Sequence, residues 1–359
     1  MRAGFILTNL AGGGAEKAVL KIAQGLAERG HRVDLVTVEE AGPQRPPGGI
    51  RLHALSKRAS KGWLGRRLAA LRLARLLGKL GAEEPFALLV STLPFADEVA
   101  VRAGAPALWC RIANTLSAEA ERLARSDAAK AKRRLARYRA LYGGRRLIAV
   151  SQGVADDLRG AAAVPAARIE AIPNPFDFAE MRALARANAP LPRLPYLIHV
   201  GRFAGQKRHD LLLDAFARLR APHELVLLAD ADPALQAMIA ARGLAGRVRI
   251  AGFQANPYPW IAGAKLLVLC SDHEGLPNVL IEALALGVPV VSTDCPSGPR
   301  EILGPALADG LVPRGDSQAL FSAMERALAS PPDVSRVDLS RYAKERVVSR
   351  YEQLALEGA

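Results

Sequence analysis

Cysteine is scarce in this chain: three residues in 359, Cys110, Cys270 and Cys295. They are widely spaced and match no metal-ligand pattern, and their odd number argues against a disulfide framework of the secreted kind. Aromatic residues make up only 5% of the chain. They are not interleaved with the cations, as platforms that stack single-stranded nucleic acid require. No run of about 18 residues lacks charge, so no transmembrane helix is expected. The opening MRAGFILTNL holds one arginine and an apolar run too short for a secretory leader, with no cleavage pattern after it. A cytoplasmic location is therefore the expectation.

What the chain does have is enough apolar residue for two ordinary cores: 50% is hydrophobic and 23% charged. Its net charge of +14 is unevenly placed. Residues 1–190 carry 31 Lys and Arg against 17 Asp and Glu, whereas residues 191–359 carry 18 of each sign. Such asymmetry points to an anionic partner, either nucleic acid or a membrane face rich in anionic lipid. Two basic segments stand out, 57–80 (KRASKGWLGRRLAALRLARLLGKL) and 122–146 (RLARSDAAKAKRRLARYRALYGGRR). A basic amphipathic helix with Trp63 and leucines among its cations can lie on anionic lipid, and that reading is preferred here to a solvated surface face.

Short apolar runs alternate with helical patterns along the whole length. The strand candidates are GFILTNL, HRVDLVTV, ALLVST, PALWCRI and RLIAVS in the first half, and PYLIHVGR, ELVLLAD, VRIAGF, AKLLVLCS and VPVVSTD in the second. Most are continuously hydrophobic, as strands buried on both faces of a parallel sheet are. The alternation predicts two doubly wound α/β domains, 1–186 and 187–338, joined at the proline-rich ANAPLPRLP of 187–195.

Three loops carry candidate chemistry. Gly12, Gly13 and Gly14 follow the first strand and open a helix, a geometry that suits phosphate, although the spacing fits neither the dinucleotide fingerprint nor the P-loop. His31, after Gly30, reads as structural. GRFAGQK, 201–207, sets Arg202 and Lys207 on the loop after a strand, where a planar fork and a point charge can together neutralise a diphosphate. SDHEGLPNVLIEALALGVPVV, 271–291, puts Glu274 ahead of a helix over roughly 277–286 and Glu282 inside it. Those carboxylates lie too far apart to share a proton, but can hold hydroxyls at two places on one long ligand. The backbone amides of the EGLPN loop sit at the helix N-terminus.

In combination these motifs resemble the retaining family-4 glycosyltransferases of the GT-B fold, over nearly the whole chain. RIANTLSAEAERLARSDAAKAKRRLARYRALYGGRRLIAVSQGV and CPSGPREIL are further similar to a bacterial branch that builds lipopolysaccharide cores and surface glycans. The resemblance implies two Rossmann-like domains facing a central cleft, with a C-terminal helix (339–359) crossing back to the first. It implies that Glu274 contacts the donor sugar and Glu282 the ribose. Arg202 and Lys207 bind the diphosphate and stabilise it as the leaving group, assisted by backbone amides of Gly275, Leu276 and Asn278. Gly13 and Gly14 meet a phosphate or the acceptor, and Phe253 falls where the base is read. Relatives often carry a histidine in a Val-His-Asn setting. Here the corresponding CRIANT offers Arg111 and Asn114 as acceptor-side candidates. Asp230-Ala-Asp232 imitates a metal motif of a different glycosyltransferase fold, so neither metal nor cofactor is expected, and His273 reads as a pocket wall.

The expected function is transfer of a sugar, with retention, from a nucleotide-diphosphate donor, uridine diphosphate being the expected carrier. The acceptor is a lipid-linked glycan at the inner face of the bacterial cytoplasmic membrane, with no nucleic-acid partner. The alternatives are a basic nucleic-acid-binding protein and a sugar-nucleotide epimerase or oxidoreductase. The latter needs a dinucleotide fingerprint that the first glycine run lacks.

Overall fold

The computed structural model describes all residues except Gly12, Ala41, Pro43, Gln44, Ala59, Lys61, Ala221, Gly358 and Ala359. The chain divides into two units, Met1–Phe176 with Ser340–Ala359, and Asp177–Leu339. The change from one to the other falls ahead of the proline-rich 187–195 segment.

Unit 1 is built on a parallel sheet of β1 (Arg2–Leu7), β2 (Arg32–Thr37), β3 (Ile50–Ala54), β4 (Phe86–Thr92), β5 (Leu108–Ile112), β6 (Arg146–Ala149) and β7 (Arg168–Ala171), in the order β3-β2-β1-β4-β5-β6-β7. Its helices are α1 (Gly14–Glu28), α2 (Trp63–Glu83), α3 (Pro94–Arg102), α4 (Leu116–Ala124), α5 (Ala128–Tyr142) and α6 (Gln152–Arg159). The basic stretch 122–146 is thus two helices rather than one. Asp127 accepts a hydrogen bond from the Lys130 N–H at 2.8 Å and so starts α5 as its N-cap. One sheet face packs on α1; the other packs on α2 and α3 through Leu73, Leu77, Leu80, Val99 and Ala100.

Unit 2 contains α7 (Phe178–Leu184), β8 (Tyr196–Val200), α8 (His209–Arg218), β9 (Glu224–Leu228), α9 (Pro233–Ala240), β10 (Val248–Ile250), α10 (Tyr258–Ala262), β11 (Leu266–Leu269), α11 (Asn278–Ala285), β12 (Val290–Thr293), α12 (Pro299–Leu303), β13 (Leu311–Val312) and α13 (Ser317–Ala329). The sheet is again parallel, ordered β10-β9-β8-β11-β12-β13. Its core joins α8, α9 and α13 to one sheet face through Leu212, Phe216, Leu235, Leu320 and Met324.

The last helix, α14 (Lys344–Leu356), belongs to unit 1. Phe176 N–H donates to the Tyr342 carbonyl at 2.8 Å, and Lys344 N–H donates back to Phe176 at 2.9 Å. Val347, Val348, Tyr351 and Leu354 then complete the core above α1. Gly25 makes this crossing possible, because a Cβ there would overlap a Val348 methyl. Lys344 pairs with Glu28 at 2.7 Å, and His31 pairs with Glu352 at 2.6 Å, which gives His31 its structural role.

All three cysteines are buried free thiols, each pushed above the usual thiol range by burial. Among the described residues no helix is long and apolar enough to cross a membrane.

Candidate functional site

In a doubly wound parallel sheet, ligands collect beyond the carboxyl ends of the strands, where the winding reverses. In unit 2 that point lies between β8 and β11. Arg202 and Lys207 stand on the loop after β8 and Glu274 on the loop after β11, so residues far apart in sequence leave adjacent strands.

Lys207 Nζ donates to Glu274 Oε1 at 2.7 Å, with both side chains mostly buried. The two loops are tied by backbone as well. Asp272 N–H donates to the Gln206 carbonyl at 2.9 Å, and Gln206 Nε2 donates to the His273 carbonyl at 2.5 Å. Arg208 adopts a left-handed backbone, φ 50° and ψ 50°, uncommon outside glycine and asparagine. Its guanidinium bonds Asp210 at 2.9 Å and Asp272 at 3.1 Å, which holds the turn and keeps its pKa raised. Arg314 Nη1 donates to the Asp272 carbonyl at 3.2 Å. Gln206, Arg208, Asp272 and Arg314 were not singled out from the sequence.

A third loop, after β12, braces the second. Glu274 N–H donates to the Pro296 carbonyl at 3.2 Å. Gly298 has φ 102°, and a Cβ there would overlap Pro277 Cδ, so only glycine fits. Pro277 is the N-cap of α11 and not its first residue, and no side chain caps that end. The positive pole of α11 therefore lies beside Gly275 and Leu276, both buried, with Asn278 as the first helical residue. Glu282 lies one turn further along α11, about 6 Å up the axis, half-buried and near Tyr258, whose hydroxyl burial and the Glu282 charge push upward.

Behind Lys207 sit two buried histidines. His199 Nδ1 is 2.9 Å from the Val268 carbonyl, and the His209 ring meets His199 edge-on at 4.8 Å. Burial, then the neighbouring charge, lowers their pKa values to about 3 and about 4, so both are neutral near pH 7. His273 is buried in the β11 loop.

The other sequence candidates are placed differently. Arg202 is exposed and has no ion pair among the described residues. Phe253 stands on the loop after the edge strand β10, 67% exposed. In unit 1, Gly12 lies outside the described residues. Gly13 is the N-cap of α1 and Gly14 its first residue, both exposed. The Glu16 carboxylate folds back over Gly13, where a Cβ would overlap Glu16 Oε2. A carboxylate of the protein thus already lies at this helix N-terminus. Leu93, which follows β4 as the N-cap of α3, has φ 73°, a strained value for a branched residue.

Arg111, near the end of β5, is wholly buried. One guanidinium nitrogen bonds the Asn174 side-chain oxygen, while Nε and Nη1 find no partner among the described residues. Asn114, on the loop after β5, accepts a hydrogen bond from Thr115 N–H at 3.0 Å. Asp230 and Asp232 lie on the loop after β9, where Asp232 caps α9 by accepting from Ala234 N–H at 2.8 Å. Among the described residues no group of three or more His, Cys, Asp or Glu is arranged to hold a metal ion.

Two family models match the chain. Residues 194–330 match glycosyl transferases group 1, and residues 12–180 match glycosyltransferase family 4. The chain is 32% identical to the lipopolysaccharide core biosynthesis glycosyltransferase of Rhizobium meliloti, over 49% of this chain and 52% of that protein. It spans about half or less of the length of the first curated relatives it matches. Two solved structures share its fold along nearly the full length. A lipopolysaccharide outer core galactosyltransferase without ligand gives a TM-score of 0.70 at 18% identity, covering 100% of both chains. An Anabaena protein in complex with UDP-glucose gives 0.70 at 17% identity, covering 100% of this chain and 98% of that one.

Proposed function

Because the chain belongs to the group 1 and family 4 glycosyltransferases and has the GT-B fold, we propose that it moves a sugar from a nucleotide-diphosphate donor to a hydroxyl of a lipid-linked glycan. Uridine diphosphate is the proposed carrier and a lipopolysaccharide core the proposed type of acceptor. The observation that carries this reading is the meeting of Lys207 and Glu274 at 2.7 Å where the winding of unit 2 reverses. Cations and the uncapped α11 N-terminus suit a diphosphate there, and carboxylates suit hydroxyls.

In this reading Arg202 and Lys207 hold the diphosphate, and Lys207 exchanges its Glu274 partner for a phosphate oxygen. Glu274 is then left to accept from donor-sugar hydroxyls, and Glu282 accepts from the ribose. Backbone N–H groups of Gly275, Leu276 and Asn278 add donors, and Phe253 lies beside the base. Gly13 and Gly14 serve a phosphate or acceptor group at α1, and Asn114 serves the acceptor. Arg111, being buried, serves it only by holding Asn174.

The bond from the anomeric carbon to the diphosphate oxygen breaks, and its electron pair goes to the diphosphate. The acceptor oxygen bonds the same face of that carbon, and its proton passes to the departing phosphate oxygen. Fixed positive charge favours this step because it faces charge that develops only as the bond breaks. No metal and no cofactor is part of the reading. The protein works at the inner face of the cytoplasmic membrane, its basic first unit toward anionic lipid, with no nucleic-acid partner.

A panel of nucleotide sugars tests it, with transfer and donor hydrolysis followed for the unaltered protein and for Glu274→Ala. Transfer is expected from at least one uridine diphosphate sugar, undiminished by EDTA and with the anomeric configuration kept. Full activity of Glu274→Ala, or no turnover of any nucleotide sugar, rejects the assignment.

A further inference from the structure

Among the described residues ten large hydrophobic side chains are exposed, and four of them fall within nine residues of α2: Trp63, Leu64, Leu68 and Leu71, at 60, 72, 49 and 58%. Leu64, Leu68 and Leu71 recur at helical spacing on the side opposite the buried Ala69, Leu73, Leu77 and Leu80. A concentrated apolar strip of this kind marks a contact surface, unlike leucines scattered singly.

Its occupant is indicated by charge. Between Trp63 and Ala82 the helix carries no carboxylate. Arg66 is taken up by Glu98, but Arg67, Arg72, Arg75 and Lys79 are exposed, with no ion pair among the described residues. Arg67 lies over the Trp63 ring at 4.7 Å. A second copy of the chain would set these cations against one another. An anionic lipid surface satisfies both features, taking leucines into its interfacial layer and cations at its headgroups.

The other basic helix, α5, is built differently. Lys130, Lys132, Arg133, Arg137 and Arg139 are exposed, yet none of the exposed large hydrophobics lies on it. Its Tyr138 and Tyr142 point inward, and Arg134 and Arg137 are paired with Glu119 and Glu98. We infer that the N-terminal half of α2, from Trp63 to Leu71, inserts into an anionic lipid surface, while α5 contributes charge alone. This rests on the reading that the basic unit faces anionic lipid, and adds which helix enters it and by which residues.

Trp63 supplies the probe. The other tryptophans, Trp109 and Trp260, are buried, so a fluorescence change on binding reports α2. The full chain is mixed with vesicles of phosphatidylcholine alone or with added phosphatidylglycerol, with and without brominated acyl chains. Anionic vesicles are expected to shift Trp63 emission to the blue, with quenching by the brominated lipid, and Trp63→Phe removes both signals. Combined Leu64→Ser, Leu68→Ser and Leu71→Ser substitutions, checked for an unchanged melting temperature, weaken binding by about tenfold or more. Combined Lys130→Gln, Lys132→Gln and Arg133→Gln substitutions weaken it by less than about threefold and leave the quenching in place. Binding to anionic vesicles without a Trp63 shift or quenching overturns the inference and leaves the basic-surface reading standing. The same follows if binding is lost with the α5 variant and kept with the α2 variant. No binding to anionic vesicles overturns both. The quenching of the unaltered protein decides the matter even if a variant fails to fold.

Discussion

The two units wind their sheets alike. Apart from β7, the order β3-β2-β1-β4-β5-β6 repeats as β10-β9-β8-β11-β12-β13. They differ in what stands at the reversal. Unit 2 places Lys207, Arg208 and Arg314 there against Glu274 and Asp272, and these groups bind one loop to the next. Unit 1 places a glycine turn there, with Glu16 folded over it, and carries its cations outward on α2 and α5. Winding decides where a ligand can sit, and loop side chains decide what kind of ligand is welcome. Net charge locates neither: the half of the chain with balanced charge sets its cations against carboxylates at the reversal, and the half with the excess carries exposed cations on α2 and α5.

The sharpest way to break this contrast is kinetic. Lys207→Ala is expected to lower the transfer rate about 10²- to 10³-fold, as loss of a preorganised charge does. Glu16→Ala at the equivalent place in unit 1 should change it less than about tenfold. Equal losses would erase the distinction. Next comes a pair of glycines. Gly298→Ala and Gly25→Ala should each cost about 1–3 kcal/mol in urea unfolding, from strain at the first and overpacking against Val348 at the second. Only Gly298→Ala should also weaken donor binding, measured by calorimetry.

Titration sharpens the contrast further. Asp97 in unit 1 is buried, and burial raises its pKa to about 7 despite hydrogen bonds from Ser91 and Tyr142. The folded state then holds a proton that the unfolded state gives up near pH 4. Unit 1 should lose stability as pH rises from about 4 to 7, on the order of 1 kcal/mol per unit, and Asp97→Asn should remove the slope. His199 and His209 act in the opposite sense. Their pKa values are lowered to about 3 and about 4 from 6.5, so the unfolded state takes up protons first and unit 2 should lose stability as pH falls below about 6.5. Hydrogen exchange followed unit by unit separates the two trends. The smallest effect is expected on α5, where Arg133→Gln should shift stability by less than about 0.5 kcal/mol in a thermal melt.

Ten strands were legible as apolar runs, most of them because they are buried on both faces; the exception is the edge strand β10, which is half-buried and was legible from its Val-Arg-Ile-Ala-Gly-Phe run. The three that were not, β3, β7 and β13, are all sheet edges. Ile50–Ala54 is half-buried or exposed throughout, Arg168–Ala171 alternates charged with apolar residues and has no buried position, and Leu311–Val312 is only two residues long. An edge strand is recruited by its neighbour's hydrogen bonds more than by its own hydrophobicity, and a linear pattern does not carry that information. In the site, Lys207 and Glu274 were legible because each sits beside a local signal, a strand end or a proline–glycine turn. Arg208 and Asp272 were not, since what distinguishes them is a partner on another strand's loop. The break at Asp127 shows the same limit at short range. One side-chain hydrogen bond divides a basic run whose helical periodicity looked continuous.

The last helix has a consequence for biosynthesis. Val347, Val348, Tyr351 and Leu354 lie in the same core as Ala3, Phe5 and Leu7. A ribosome must therefore translate all of Asp177–Leu339 before the first-made strands can be sealed. The later-made unit, continuous in sequence, is free to mature first, leaving the amino-terminal one as the nascent-chain segment that waits longest for its final packing partner.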